Sequence, residues 1–191
     1  MSGKFLRTLM RILGAAMVLV GLGLVALFFV GPPGGTAGSI PTDTGAPTTE
    51  PAAPVDGTLY LTIPKLGLRD RTVYSSSSEE DLDASLIHLP ETGFPWQPGA
   101  NTYIAGHRMG FFGTNSFLVF FRLNELEPGD QVILGDSIGR EYDYRVTGQM
   151  VVSPEDTRVL EPVAGKSVIS LQTCTLPDYS NRLVVRGEMV A

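Results

Sequence analysis

The chain has 191 residues, a net charge of −6 and only 18% charged residues, a balance that excludes a nucleic-acid binder working by phosphate neutralisation. Its single cysteine excludes an internal disulfide, a CxxC pair and a multi-cysteine zinc site. Two histidines leave little for a histidine-rich metal centre, so no cofactor or metal is expected.

Charge divides the chain into three regions. Residues 1–30 carry Lys4, Arg7 and Arg11 and no acid; residues 31–56 carry Asp43, Glu50 and Asp56 and no base. Residues 57–191 hold 11 bases and 17 acids. Ile12 to Val30 is a run of 19 residues without a charge. At a rise of 1.5 Å per residue, such a helix is about 28 Å long, close to the hydrocarbon thickness of a bilayer. All three nearby bases precede it, so the positive-inside rule predicts a cytoplasmic basic tail over 1–11, a single-pass anchor over 12–30 and an extracellular remainder at the cell membrane. A cleaved signal peptide is the competing reading; against it, the run ends in Gly31-Pro32-Pro33 rather than a small-residue cleavage site. Residues 31–56 are rich in Pro, Gly, Thr and Ala and lack aromatics, which predicts a disordered spacer.

Residues 57–191 then read as one all-β domain. Leu59, Leu61 and Ile63 alternate with Tyr60 and Thr62, a half-buried strand. Further strands are expected at Asn101–Ala105, Gln131–Leu134, Tyr142–Val152, Ser167–Thr173 and Leu183–Val190, separated by Gly, Pro and Asp turns. Helices are expected over Ser78–Leu86, opened by a serine cap, and over Leu118–Leu126. Many short strands favour a barrel or sandwich over a βαβ fold.

Three residues carry the chemistry. Cys174 ends the apolar strand that runs from Val168, where a free cysteine reads either as a small buried residue or as a nucleophile. His107 ends the strand Ile104-Ala105-Gly106-His107, and Arg182 opens the strand after Cys174. A nucleophilic thiol needs a proton partner and a cation for the developing oxyanion. Residues at the ends of different strands suit a site at a barrel rim.

These residues resemble the sortases, cysteine transpeptidases of Gram-positive cell surfaces, over roughly Leu59 to Val190. Tyr103-Ile104-Ala105-Gly106-His107-Arg108 is similar to the family's histidine motif. Ser170-Leu171-Gln172-Thr173-Cys174 is similar to its Thr-Leu-x-Thr-Cys signature, with Ser at the first position, and Arg182-Leu183-Val184-Val185 to its arginine strand. The resemblance implies an eight-stranded β-barrel with a few short helices behind an N-terminal transmembrane helix. It implies Cys174 as nucleophile, His107 as acid/base and Arg182 as stabiliser of substrate and oxyanion, with Thr173, Tyr103 and His88 as candidate substrate contacts. For His88 a satisfied loop histidine is the competing reading.

The reaction so implied cleaves a Leu-Pro-x-Thr-Gly or Leu-Ala-x-Thr-Gly sorting motif of a secreted protein between Thr and Gly. The product is passed through a thioester to an amine of a peptidoglycan precursor or a pilin. Compact size and the anchor favour class E, with class D second. Two features depart from the family pattern. Met109–Val119 is long and aromatic, and reads equally as a site-lining loop or a surface loop packed by its own rings. Leu89-Pro90-Glu91-Thr92-Gly93 spells a sorting motif inside the domain, read as a coincidental turn, with a pseudo-substrate that reaches Cys174 as the alternative. An L,D-transpeptidase remains as an alternative although its Ser-His-Gly-Cys signature is missing, as does a non-catalytic anchored wall-binding module.

Overall fold

The structure is a computed structural model that describes residues 53, 54 and 56–190. The basic tail, the anchor and nearly all of the spacer therefore lie outside the described residues. Eight strands close into a barrel in the order β1-β2-β3-β4-β7-β8-β6-β5. They are β1 (Leu59–Ile63), β2 (Leu68–Ser75), β3 (Leu86–His88), β4 (Asn101–Ala105), β5 (Gln131–Asp136), β6 (Glu141–Val152), β7 (Val168–Cys174) and β8 (Arg182–Met189). The β2–β3 and β4–β7 pairs are parallel, and the others are antiparallel. The expected barrel and its six expected strands are present.

Alternation builds the interior. Leu59, Leu61 and Ile63 from β1, Val132 and Leu134 from β5, Ile169 and Leu171 from β7, and Leu183 and Val185 from β8 all point into one core. Because side chains alternate across a strand, a slip of one residue would turn each set outward, which fixes the register.

Two strands were not expected. β2 buries only Leu68 and Val73 of its eight residues, and its charged Arg69, Asp70 and Arg71 hide any alternation. β3 has three residues and begins where the expected helix was to end. The helix α1 is shorter than expected, Glu79–Ala84, although Ser78 caps it by accepting from the Asp81 amide at 3.1 Å. Ser85 leaves the helix in an extended conformation and donates its hydroxyl to Thr72 O at 2.7 Å, which frees Leu86 and Ile87 to pair with β2.

The helix expected over Leu118–Leu126 is not formed. Leu118 has φ of 53°, and the segment closes i+3→i hydrogen bonds, from Phe121 to Leu118, Leu123 to Phe120, Glu125 to Arg122 and Leu126 to Leu123. Phe120, Leu123 and Leu126, spaced by three, all enter the core. The apolar spacing that suggested an α-helix is that of a chain of 3-10 turns, with Leu123–Glu125 its one regular turn.

Candidate active site

Three neighbouring strands set the site. In the parallel β4–β7 ladder Asn101 pairs with Val168 and Ala105 with Gln172. The Gly106 amide carries the ladder on by donating to Gln172 O at 3.0 Å. Two residues beyond β4 is His107, so the same register brings it level with Cys174. On the other side of β7, Cys174 pairs directly with Arg182 at the start of β8. The three candidates for catalysis thus meet at one end of β4, β7 and β8. Position 106 has no room for a side chain, since a Cβ at Gly106 would lie 2.4 Å from Leu86 and 2.7 Å from Phe120.

Cys174 is half-buried and unpaired, at the mouth of the loop from Thr175 to Asn181. That loop is closed on itself: the Thr175 amide donates to Asn181 O at 3.0 Å and the Tyr179 amide to Thr175 O at 3.1 Å. Arg182 is tied to the same loop, with Nη1 donating to Tyr179 O and Asn181 O, each at 3.2 Å. Among the described residues no carboxylate forms an ion pair with Arg182. Its charge is left for something else.

The His107 side chain is 30% exposed, and its Nε2 lies 2.8 Å from Asp83 Oδ1 of α1. An ionised carboxylate only accepts hydrogen bonds, so Nε2 carries the proton and Nδ1 is the basic nitrogen. The Phe111 ring stands edge-on to the imidazole, centroids 5.6 Å apart. Asp83 was not among the expected site residues; it lies 24 residues from His107 and no motif joins them.

The three expected substrate contacts lie beneath this surface. Tyr103, Thr173 and His88 are all buried. Tyr103 donates its hydroxyl to Gln172 Oε1 at 2.7 Å, and burial raises its phenol well above the ordinary range. Thr173 is packed beside Cys174 in β7 with its side chain inward. His88 pairs with Ile104 of β4, three residues before His107 in the chain. Its Nε2 faces Gly93 O and Thr92 Oγ1, both at 3.2 Å, while Nδ1 faces Ser75 Oγ at 3.4 Å and the ring packs on Phe94 at 4.4 Å. Every polar atom of His88 has a partner, so it is the satisfied histidine of the competing reading. Burial lowers its pKa, against smaller upward pulls from Gly93 O and the Glu91 charge.

The internal Leu89–Gly93 motif is a turn that encloses His88. The Thr92 amide and hydroxyl both donate to Leu89 O, at 2.9 and 2.8 Å. Thr92 Oγ1 also accepts from the Tyr103 amide at 3.3 Å. The turn sits beside Tyr103, away from the strand end that holds Cys174.

The chain matches the Sortase domain family over residues 61–190. Sortase A of Bacillus anthracis is 34% identical over 131 residues, which cover 68% of this chain and 58% of that protein. Sortase SrtE1 of Streptomyces coelicolor is 32% identical over 153 residues, covering 72% of this chain and 41% of that protein. The chain therefore spans less than two thirds of the length of these relatives. Among solved structures, Sortase A from Corynebacterium diphtheriae has a TM-score of 0.63 at 29% identity, covering 70% of this chain and 60% of that one. Sortase C-1 from Actinomyces oris has a TM-score of 0.63 at 30% identity, covering 72% of this chain and 76% of that one.

Proposed function

The chain belongs to the sortase family, and from that premise we propose that it is a membrane-anchored cysteine transpeptidase. Its substrates are secreted proteins with a C-terminal Leu-Pro-x-Thr-Gly or Leu-Ala-x-Thr-Gly motif. Its acceptors are amines of a peptidoglycan precursor or a pilin. The observation that carries the reading is the β4–β7–β8 register, which gathers His107, Cys174 and Arg182 at one strand end. Family membership displaces the L,D-transpeptidase alternative.

In the first half-reaction the Cys174 thiolate attacks the carbonyl carbon of the substrate threonine. The C=O electron pair moves onto oxygen, and the Arg182 guanidinium, which pairs with no carboxylate among the described residues, donates to that oxyanion. As the intermediate collapses the C–N bond to glycine breaks, and protonated His107 gives its Nδ1 proton to the leaving amine. A thioester remains on Cys174. In the second half-reaction the acceptor amine attacks the thioester, Nδ1 takes its proton, and the thiolate leaves. Asp83 holds Nε2 throughout, so one nitrogen does both transfers.

Among the sortase classes we place the chain with class E, ahead of class D, on its compact domain and N-terminal apolar stretch. The test of the reading is mass spectrometry of the protein mixed with peptides of both motifs. We expect a covalent adduct on the Cys174 peptide equal to the fragment ending in threonine. No adduct with either peptide, from protein whose thiol is intact, leaves the non-catalytic wall-binding module.

A further inference from the structure

We propose that the loop Met109–Phe121 docks on the lipid surface of the bilayer and turns the catalytic end of the barrel toward it. The proposal rests on the anchored reading above for its geometry.

The loop ties its own hydroxyls together: the Thr114 hydroxyl donates to Phe111 O at 2.8 Å and meets Ser116 Oγ at 2.8 Å, and Ser116 Oγ accepts from the Phe111 amide at 3.2 Å. Ser116 is buried, while Met109, Phe111, Phe112, Phe117, Leu118 and Phe121 are all exposed, Phe112 to 89%. Phe112 and Phe117 touch edge to face at 5.4 Å, and the Leu118 amide donates to Met109 O at 2.8 Å, which closes the loop on itself. Its shape is held by the backbone: Gly110 has φ of 63°, and a Cβ there would lie 2.1 Å from Ser116 O. A loop that buries a serine at its centre and exposes four phenyl rings marks an interaction surface.

Charge and chain length select the occupant. Residues 92–124 hold no acid, the longest such stretch of an acidic domain. Arginines border the loop: Arg71 Nη1 donates to Asn115 Oδ1 at 3.4 Å, and Arg108 lies over the Phe121 ring at 5.9 Å. Arg108 is buried, so the partly exposed Arg71 is the cation at the loop's edge; an acid-free aromatic surface with a cation at its edge matches an anionic headgroup layer above acyl chains, as amphipathic interfacial segments do. The same chain carries 19 uncharged residues at 12–30, joined to the domain by the 26 residues of 31–56. An unstructured chain of 26 residues would span about 28 Å root-mean-square, against a radius of gyration of about 14 Å for a domain of this size. On the anchored reading the domain works within reach of a bilayer, and the loop would decide which end faces it. Phe111 against the His107 ring makes the docked surface continuous with the catalytic end.

The experiment uses the full chain with Cys174→Ala, carrying either Phe112→Cys or Ile138→Cys labelled with nitrobenzoxadiazole. Ile138 is also an exposed apolar residue, at 53%. It sits in the β5–β6 turn, whose Arg140 lies with Ser167 beside the start of β7, the end opposite Cys174. The proteins are mixed with vesicles of phosphatidylcholine containing phosphatidylglycerol. The label at 112 is expected to shift to the blue and to be quenched by shallow spin-labelled lipid at least threefold more than the label at 138. Equal spectra and equal quenching by lipid and by aqueous iodide at the two positions overturn the proposal. So does iodide protection at 112 that appears without vesicles and grows with protein concentration, which assigns the surface to a second copy. Resistance to alkaline carbonate extraction reports the anchor separately: a chain that is extracted but still shifts at 112 keeps the docking loop and loses the anchor.

Discussion

Asp83 Oδ1 lies 2.8 Å from His107 Nε2, joining a residue of α1 to the end of β4 across the outside of the barrel. The contact assigns the two ring nitrogens different work, one to orientation and one to proton transfer. It is also open to solvent, with the Asp83 side chain 49% exposed, so its value for stability is small.

Asp83 is therefore expected to act on turnover as a positioning residue. Asp83→Ala should lower kcat about tenfold, a part of the hundredfold or more that general acid–base catalysis supplies, with KM nearly unchanged. Asp83→Asn keeps an oxygen that accepts from Nε2 and should recover most of the loss. Peptide-cleavage kinetics on both variants check this. Wild-type kcat in Asp83→Ala reduces the contact to a surface pair.

Cys174→Ala should abolish peptide cleavage and leave the thermal unfolding midpoint within a few degrees of wild type. The thiol is half-buried at a strand end, so removing one sulfur opens no enclosed cavity. His107→Ala should remove nearly all activity for the same peptides. Measurable turnover by purified Cys174→Ala would falsify thiol catalysis here.

His88 should matter for stability rather than chemistry. Burial holds its folded pKa below the ordinary 6.5, so between those two values the unfolded chain binds more protons than the folded one. Its contribution is whole above pH 6.5 and is lost as the pH falls toward the folded value. The carboxylates with resolved shifts, Asp81, Glu125, Asp130, Asp136, Glu155, Asp156 and Asp178, are all moved down, so they stay ionised in that window. Unfolding midpoints should fall between pH 7.5 and 5.5. His88→Gln, though less stable at pH 7.5, should fall less steeply. Parallel curves for the two proteins would remove His88 from the titration.

Strands whose residues alternate cleanly were legible in the chain, and so was the meeting of His107, Cys174 and Arg182 at one strand end, because each of these candidates ends or opens such a strand. What was not legible has local causes. β2 carries three consecutive charged residues on a strand that buries two side chains, so no period of two is visible. The Phe120–Leu123–Leu126 spacing fits both an α-helix and successive 3-10 turns, and only the positive φ at Leu118 and the burial of these three side chains in the barrel core decide between them. His88 looked like a site residue by its place; its burial depends on the Thr92 turn and the Phe94 ring, which fold over it from later in the chain. Asp83 reaches His107 only because β3 returns α1 to β4, a tertiary fact with no sequence motif.

Arg182 carries the sharpest prediction. Its Nη1 is held by the carbonyls of Tyr179 and Asn181 at 3.2 Å, so the guanidinium is fixed at the strand end beside Cys174. A surface salt bridge is the alternative role for such an arginine and would be worth about 0–1 kcal/mol, but no carboxylate among the described residues supplies the partner. The planar fork keeps donors for an oxyanion while one nitrogen is anchored; a lysine ammonium has three donors but, as a point charge on a flexible stem, does not hold them in a fixed plane. Removing a well-placed oxyanion donor costs about 2.7–4 kcal/mol, or roughly a hundred- to a thousandfold in rate. Arg182→Ala should show a loss of that order in kcat. Arg182→Lys, which keeps the charge and gives up the anchored geometry, should lose at least tenfold. Steady-state kinetics with a sorting-motif peptide decide the matter: near-wild-type turnover in Arg182→Ala would place the guanidinium outside the reaction, and equal activity of the lysine variant and wild type would show that charge alone is enough.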